Sequence, residues 1–535
     1  MRILAINYNH DGAVAVIDDR NLIAYVEAQK DNNRRHSQLT GDCIARALRY
    51  LDGKPDVLAV GGWYGQDGGY FGADESVIFS EPAQFKVEEI EQFLSYGPSK
   101  WLAMQSTEFP LKVQRFASSH ERTHIFCAYG LSPFEQGQPC YVLVWEGSIG
   151  AFYSIDEKCN VTKIAKPMDQ PGHRYTFLFE LAHRDFPDDS VGWTMGVGGK
   201  LMALACLEPH SRLTPAEQEL MAILLGAFDH TVVSKAKLRN LPFWNCGHLD
   251  DRFRRFAYEF SARLFDQFYM EAKDKLRNGW PLLIAGGCGL NCDWNSKWRD
   301  SGLFEDVFVP PCTDDSGSAL GVAVDAQRHF TGQAKLNWEV YAGEEFLDDA
   351  PIPDQFEKIP FDYDLIAGLL REGAIVAWVQ GRYEIGPRAL GNRSILAAPF
   401  SRETTDRLNW IKRREDYRPV APVCLESEVS KWFEWGGPSP HMLYFQHVKS
   451  PELQAVTHQD NSARVQTVGL DQNRPLYDLL TAFAELTGFG VLCNTSLNFS
   501  GSGFINRTSD LVRFVLERDL DAMVIGDRLY SRRRS

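Results

Sequence analysis

The sequence lacks the long apolar runs that a membrane-spanning helix requires, and it is poor in basic residues relative to acidic ones. Its 535 residues include 71 Asp and Glu against 56 Lys and Arg, which gives a formal net charge of −15 at pH 7. A nucleic-acid surface needs concentrated lysine and arginine, and the one basic run, residues 532–534, is typical of a solvated tail. Neither a membrane nor nucleic acid is therefore expected as a partner.

The 11 cysteines are scattered and form no Cys-x-x-Cys pair. This excludes the usual zinc knuckles and a secreted disulfide framework. The first apolar stretch, residues 1–6, is too short for a secretory signal and a polar turn follows it. These features predict a cytoplasmic protein. Its length exceeds what one hydrophobic core usually supports, so more than one domain is expected.

Two stretches share one pattern of strands and turns. Residues 2–28 predict a three-strand meander whose first turn holds His10, Asp11 and Gly12, and residues 140–166 predict another with Glu146 at its first turn. A duplicated meander followed by helices resembles the plan of actin-like ATPases, which bind a nucleotide between the two halves.

The later segments alternate between helix and strand. Residues 251–276 predict a long amphipathic helix, and residues 281–285 a short buried strand. Apolar periodicity then lapses around residues 330–360, where acidic residues and prolines accumulate. This predicts one domain over 1–345 and a second α/β domain over 346–535, which begins with a helix at 364–371 and a strand at 375–379.

Two histidines four residues apart, His120 and His124, form the first candidate metal site. They fall in a helix predicted over residues 113–129, where positions i and i+4 share one face and can hold one ion. The intervening Glu121 completes the His-Glu-x-x-His pattern of zinc proteases, in which it is the general base. However, a protease expects a third ligand from a following helix, and here a β-meander follows. One buried and one exposed histidine without a metal is the alternative interpretation.

Small residues surround two adjacent carboxylates, Asp314 and Asp315, where a strand leads into a helix. A carboxylate at such a point either caps the helix or completes a His-His-Asp metal site. A mixed nitrogen and oxygen ligand set suits iron, zinc or manganese. Separately, Gly286 and Gly287 follow the predicted strand and allow the backbone to approach a flat or anionic ligand.

Basic side chains concentrate among glycines and prolines in the last third of the chain. They include Arg388, Lys412, Arg414, Arg418 and Arg464. Because the guanidinium fork matches phosphate with two hydrogen bonds, this concentration predicts a polyphosphate pocket inside an otherwise acidic chain. The alternative is that these arginines pair with surface carboxylates.

With these residues the sequence resembles the nodulation and antibiotic O-carbamoyltransferases over nearly its whole length. The matching C-terminal motifs are Gly-Pro-Arg-Ala-Leu-Gly-Asn-Arg-Ser at 386–394, the basic stretch 412–422 and Asn-Thr-Ser-Leu-Asn at 494–498. The matching N-terminal motifs are His-Asp-Gly at 10–12, His120 with His124, residues 199–205 and the turn at Asp315. The resemblance implies the fold class α/β, with a duplicated actin-like (ASKHA, Kae1-like) N-terminal domain followed by a YrdC-like α/β C-terminal domain.

The resemblance also implies that the C-terminal domain binds carbamoyl phosphate and ATP, the latter with magnesium. Carbamate released from carbamoyl phosphate would attack the α-phosphate of ATP, giving carbamoyl-adenylate and pyrophosphate. The residues that it assigns to carbamoyl phosphate are Arg388, Lys412, Arg418, Arg464, Asn494 and Ser496. Arg388, Lys412 and Arg418 are expected to be catalytic, because fixed cations stabilise the charge that develops in phosphoryl transfer.

In the N-terminal domain the resemblance implies transfer to a small-molecule alcohol of a natural product. The residues expected to hold the nucleotide are Gly199, Lys200, Gly286, Gly287 and Asn291. Those expected to hold one divalent metal ion, most simply iron, are His120, His124, Asp315 and Glu146, the last at a position where the family commonly has Asp. His10 is the candidate that assists deprotonation of the acceptor hydroxyl, and a turn histidine bonded to backbone is the alternative.

Two other functions fit parts of the pattern. Threonylcarbamoylation of tRNA adenosine joins the same two fold types, but the acidic charge and the lack of a basic stripe disfavour it. A zinc protease accounts for His120, Glu121 and His124, but not for the basic cluster.

Overall fold

The computed structural model describes residues 1–63, 113–206, 212–226, 228 and 233–533. Two five-stranded sheets occupy the N-terminal part. The first contains β1 Arg2–Asn7, β2 Ala13–Asp18, β3 Asn21–Glu27, β4 Val57–Trp63 and β5 Gln114–Ser119. The second contains β6 Cys140–Trp145, β7 Gly150–Ile155, β8 Val161–Ala165, β9 Leu282–Ala285 and β10 Val307–Phe308.

The two sheets have the same strand order, β3-β2-β1-β4-β5 and β8-β7-β6-β9-β10. In each, the first three strands form an antiparallel meander, and the last two run parallel to the first. The repeat predicted from the sequence is therefore a repeat of topology. It confirms the duplicated actin-like fold.

Nine helices of the described residues accompany these sheets. They are α1 Ala28–Asn32, α2 Gly41–Leu48, α3 His120–Leu131, α4 Pro171–Ala182, α5 Gly198–Leu204, α6 Pro215–Leu225, α7 Asp251–Lys275, α8 Cys292–Arg299 and α9 Ser318–Thr331. Helices α3 and α9 share one buried core with both sheets, in which Ile125 and Val322 pack with Ile3 and Val142. The long helix predicted over residues 251–276 is confirmed as α7.

The prediction of one helix over residues 113–129 is wrong in its first half. Gln114–Ser119 is strand β5, which pairs in parallel with β4. Helix α3 begins at His120, and the hydroxyl of Ser119 caps it by accepting a hydrogen bond from the backbone N–H of Arg122 at 3.3 Å. Pairing with a distant strand decided the outcome here, and local periodicity does not report such pairing.

The C-terminal part is built on an eight-stranded mixed sheet, in the order β11-β20-β19-β12-β13-β18-β14-β17. The strands are β11 Phe356–Ile359, β12 Val376–Val379, β13 Arg393–Ala397, β14 Ala421–Leu425, β15 Phe445–His447, β16 Ser462–Arg464, β17 Gln466–Val468, β18 Val491–Ser496, β19 Ala522–Ile525 and β20 Arg528–Arg532, with β15 and β16 forming a separate pair. The helices are α10 Tyr363–Arg371, α11 Arg402–Lys412, α12 Val429–Trp432, α13 Arg474–Thr487 and α14 Thr508–Glu517.

The predicted first helix and strand of this part are confirmed, whereas the domain boundary at 345/346 and the YrdC likeness stay predictions. The expectation of a solvated basic tail is wrong for Arg532, which ends β20 opposite Phe356 and donates to the carboxylate of Asp519. No helix of the described residues is long and apolar enough to cross a membrane.

A buried ion pair holds the two parts together beside the segment 384–388. The Lys30 ammonium donates to the Glu27 carboxylate at 2.6 Å and to the backbone carbonyl oxygen of Gly386 at 2.9 Å. The Glu27 carboxylate also accepts from the Gly386 backbone N–H at 3.0 Å. These contacts fix the turn that carries Arg388 against the N-terminal sheet.

Candidate active site

Four buried side chains from three segments converge in the N-terminal part. They are His120, His124, Glu146 and Asp315, and their ligand atoms all lie within 4.8 Å of one another. The two histidines occupy the first turns of α3, with their Nε2 atoms 3.2 Å apart. Asp315 Oδ1 lies 3.3 Å from His124 Nε2, and Glu146 Oε2 lies 3.7 Å from His120 Nε2. This arrangement offers two imidazole nitrogens and two carboxylates to one ion.

Local backbone structure aims both carboxylates at the histidines. Glu146 follows β6, and its Oε1 accepts from the backbone N–H groups of Ser148 at 3.0 Å and Ile149 at 2.9 Å, which leaves Oε2 facing His120. Asp314 caps the short helical turn Asp315–Gly317 by accepting from the Ser316 N–H at 3.3 Å. Asp314 is therefore the cap and Asp315 the candidate ligand, which decides between the two interpretations of this turn.

Glu121 does not take part in this cluster. Its carboxylate accepts from the Lys163 ammonium at 2.8 Å on a partly exposed face of α3. A zinc protease needs this carboxylate beside the metal-bound face of the helix. The two histidines therefore face the cluster without the glutamate that the protease pattern requires beside them.

A chain of side chains leads away from Asp315. His10 Nε2 lies 3.3 Å from Asp315 Oδ2, and His10 Nδ1 lies 3.2 Å from Asp11 Oδ2. Asp11 in turn lies 2.9 Å from Nδ1 of His36. Burial alone would lower the pKa of His10, but the hydrogen bond to Asp11 and the charges of Asp315 and Glu146 outweigh it and raise this pKa to about 9.

That pKa bears on the predicted role of His10. An imidazole with a pKa near 9 is protonated at neutral pH, and a general base must be neutral. A cation among the four ligand residues would oppose this protonation, because like charges disfavour each other at short range. The assignment of His10 as the proton acceptor stays a prediction.

A second site, the arginine pocket, lies between the two parts of the chain and has a volume of about 150 Å³. Its basic lining residues are Lys30, Arg35, Arg388, Arg414, Arg418 and Arg464. No carboxylate is among the described residues that line it. The structure thus brings Arg388, Arg414, Arg418 and Arg464 together at one cavity, as predicted. Arg418 also lies 3.9 Å from the Glu415 carboxylate, so pairing with a carboxylate applies to this one of the four.

The charge in the arginine pocket is poorly compensated. Burial, and next the charge of Arg464, lower the pKa of Arg388 to about 9, and burial lowers the pKa of Arg464 as well. The Nε atoms of both side chains are buried and have no hydrogen-bond partner among the described residues. Since a guanidinium stays protonated in proteins, the pocket holds positive charge that a polyanion would stabilise.

Lys412 is placed differently from its predicted role. Its ammonium donates to the backbone carbonyl oxygens of Ser496 and Asn498, the latter at 2.9 Å, and to the Asn498 side chain. It is not among the residues that line the arginine pocket. Lys412 therefore fixes the turn that carries Ser496, and Ser496 itself lines the pocket with Asn494.

Asn494 is held with its amide nitrogen occupied. Its Nδ2 donates to the Ala389 carbonyl oxygen at 3.1 Å and to Gln466 Oε1 at 2.8 Å. Its Oδ1 is buried and has no partner among the described residues. The pocket thus offers a fixed acceptor beside its guanidinium donors.

The five residues predicted to bind the nucleotide contact different parts of the structure. Lys200 lies 2.7 Å from Glu415, near Arg418, whereas the backbone of Gly286 packs against Trp145 and Glu146 beside the histidine cluster. A side chain at Gly199 or Gly287 would meet nothing within 4 Å. The side chain of Asn291 caps α8, accepting from the Asp293 and Trp294 N–H groups.

Arg35 and His36 were missed by sequence reasoning, although between them they contact both sites. Arg35 lines the arginine pocket, and the next residue, His36, contacts Asp11 in the chain that leads to Asp315. The Arg-Arg-His sequence at 34–36 was the available signal. Arg414 was predicted as part of the basic cluster but was not among the residues assigned to carbamoyl phosphate, and it lines the arginine pocket.

Comparison with known proteins agrees with the expected family. The family model Carbamoyltransferase C-terminus matches residues 367–532, and Carbamoyltransferase N-terminus matches residues 252–324. The chain is 43% identical to the 3'-hydroxymethylcephem-O-carbamoyltransferase of Streptomyces clavuligerus, over 99% of both chains. It is 33% identical to Nodulation protein U of Sinorhizobium fredii, over 94% of this chain and 95% of the relative.

Among solved structures, an archaeal actin homolog matches 61% of this chain and 100% of its own, with 11% identity and a TM-score of 0.31. The fold assignment rests on strand order. Identities of 43% and 33% over nearly the whole chain show common ancestry with these relatives. The chain belongs to the carbamoyltransferase family and is a carbamoyltransferase.

Proposed function

We propose that this enzyme is an ATP-dependent O-carbamoyltransferase that acts on a hydroxyl group of a small-molecule natural product. In this proposal the arginine pocket makes carbamoyl-adenylate from carbamoyl phosphate and ATP, and the carbamoyl group passes to the acceptor hydroxyl at the histidine cluster, with release of AMP. The single observation that carries the proposal is the arginine pocket, a cavity lined by five arginines with no carboxylate among its described lining residues.

The chemistry of the first step follows from that charge. Water hydrolyses carbamoyl phosphate to carbamate and inorganic phosphate. A carbamate oxygen then attacks the α-phosphate of magnesium-bound ATP and expels pyrophosphate. Arg388, Arg418 and Arg464 would neutralise the phosphates, because preorganised cations in a buried site stabilise charge more strongly than water does. The unpartnered Oδ1 of Asn494 suits the amino group of the carbamoyl moiety.

The histidine cluster fits one divalent ion. Its donor set of two imidazoles and two carboxylates, all buried, suits a borderline metal such as iron. Bound there, the ion would supply Lewis acidity that polarises the carbamoyl group. The side chains of the protein itself would position His10. Asp315 contacts its Nε2 atom, and Asp11 contacts its Nδ1 atom and also the ring of His36.

The proposed acceptor class rests on the relatives, one of which is named for a hydroxymethylcephem. The net charge of −15 still disfavours tRNA, and the surface pairing of Glu121 with Lys163 disfavours proteolysis. No described feature favours either alternative.

A direct test is to mix the enzyme with ATP, labelled carbamoyl phosphate and a panel of alcohols. The proposal expects pyrophosphate release together with label on one acceptor oxygen. Label transfer that is independent of ATP would refute the adenylate route while leaving the family assignment intact.

A further inference from the structure

We propose that the loop 190–197 forms a binding subsite for the acceptor alcohol, in which Trp193 and Met195 hold an apolar ring face of that molecule beside the histidine cluster. This inference rests on the proposed function and adds a location and a chemical class for the acceptor. Both side chains are large, apolar and about half exposed, at 57% for Trp193 and 50% for Met195.

One end of the loop packs on His173 of α4, and α4 begins against the turn that holds Glu146. The Gly172 N–H donates to the Glu146 carbonyl oxygen at 3.1 Å, and the His173 N–H donates to the Gly147 carbonyl oxygen at 3.2 Å. The His173 ring lies between this turn and the loop, with its centroid 5.9 Å from that of Trp193. Trp193 is therefore one side chain away from the backbone of a candidate metal ligand.

The other end of the loop lies against Arg35 and His36. A Cβ on Gly196 would stand 3.7 Å from Arg35 Nη1 and 3.9 Å from His36 Nε2. Arg35 lines the arginine pocket, and His36 contacts Asp11. The loop thus spans from the Glu146 side to the His36 side of the cluster, with Trp193 and Met195 between those two ends.

A buried carboxylate fixes the backbone on both sides of Trp193. Glu180 is fully buried in α4, and its two oxygens accept from the N–H groups of Gly192 at 2.7 Å and Thr194 at 3.0 Å. Gly192 has φ 91°, and a side chain there would collide with the His173 carbonyl oxygen. A buried carboxylate is costly unless its hydrogen bonds are made, and here the backbone of the loop supplies them. The carboxylate therefore fixes the backbone of a loop whose side chains face solvent.

The side chains on this fixed loop define the ligand class. An indole face and a thioether pack against flat apolar groups and offer little to a fully solvated polyol chain. The matching acceptor presents an apolar ring face next to the hydroxyl that receives the carbamoyl group. Two sources share that chemistry: the fused rings of a hydroxymethylcephem and the C–H face of a pyranose.

The test compares Trp193→Ala and Trp193→Phe with the wild-type enzyme, and Trp410→Ala is the matched control because Trp410 is 62% exposed on α11. The probes are a 3'-hydroxymethylcephem and a methyl pyranoside with a free primary hydroxyl. Calorimetry measures their binding, and turnover with ATP and carbamoyl phosphate measures KM and kcat.

Trp193→Ala should weaken binding and raise KM for one probe about tenfold, with most of the affinity kept in Trp193→Phe. Its pyrophosphate release without acceptor should equal that of the wild type. The probe that shows the effect identifies the ring source. Equal binding in Trp193→Ala and wild type, or no binding of either probe to the wild type, would overturn the subsite. Absence of pyrophosphate release from the wild type would instead refute the proposed function, since calorimetric binding reads the subsite independently.

Discussion

The Nε2 atoms of His120 and His124 lie 3.2 Å apart, and Asp315 lies beside both of them. Two imidazole lone pairs at this distance repel each other unless a proton or a cation lies between them. A divalent ion coordinated by both rings satisfies them together, and the nearby carboxylates of Glu146 and Asp315 balance its charge.

Metal binding should therefore depend on the histidine pair. We expect the double variant His120→Ala, His124→Ala to lose the bound metal and carbamoyl transfer together, because it removes both nitrogen donors. Elemental analysis of the purified protein, with circular dichroism to check the fold, measures this. Undiminished metal content in the double variant would place the ion elsewhere.

A second prediction concerns Glu121→Gln, a substitution on the same helix. The Glu121 carboxylate pairs with Lys163 at the surface, so the variant should keep the metal and carbamoyl transfer near wild-type levels. Steady-state rates with a confirmed acceptor test this. A large loss of rate would mean that Glu121 reaches the cluster during turnover.

Removing one guanidinium from the arginine pocket should stop adenylate formation. Arg388→Ala or Arg418→Ala should reduce pyrophosphate release at least about a hundredfold, since fixed charges of this kind contribute several kcal/mol to transition-state binding. Arg474→Ala is the control, because Arg474 is an exposed arginine that pairs with Asp478 on α13. If the pocket variants retain the wild-type rate, the phosphates bind elsewhere.

The buried pair between Glu27 and Lys30 should matter for stability. Lys30→Met leaves the Glu27 carboxylate buried without its cation and should lower the free energy of unfolding by ~3–5 kcal/mol. Adding Glu27→Gln should recover part of that loss, because the uncompensated charge is then gone. Denaturant unfolding measures both, and Lys275→Met, which breaks an exposed pair with Glu271, should show no measurable change. A Lys30→Met variant as stable as the wild type would contradict the account of this contact.

Local patterns predicted the elements that depend on local sequence. The duplicated meander, the helix at 251–276 and the shared face of His120 and His124 follow from periodicity and spacing. Residues 114–119 were predicted as helix because their strand exists only through pairing with β4. Glu146 came from resemblance alone, since its ligand geometry depends on hydrogen bonds from residues after it in a turn.

The pocket shows the same limit of sequence reasoning. Arg388, Arg418 and Arg464 were predicted to converge, as their density among glycines indicated. Arg35 enters from the other part of the chain, and Lys412 has the right charge but its ammonium donates to the carbonyl oxygens of Ser496 and Asn498. Which cations face a cavity is decided by how the two parts pack, and composition does not encode that packing.

The separation of the two half-reactions tests the central claim most directly. Pyrophosphate release from ATP and carbamoyl phosphate should be measured without acceptor, in the wild type, in Arg388→Ala and in the double variant of His120 and His124. The account predicts release by the wild type and by the histidine variant, and release reduced at least about a hundredfold in Arg388→Ala. Release that disappears in the histidine variant but persists in Arg388→Ala would contradict it.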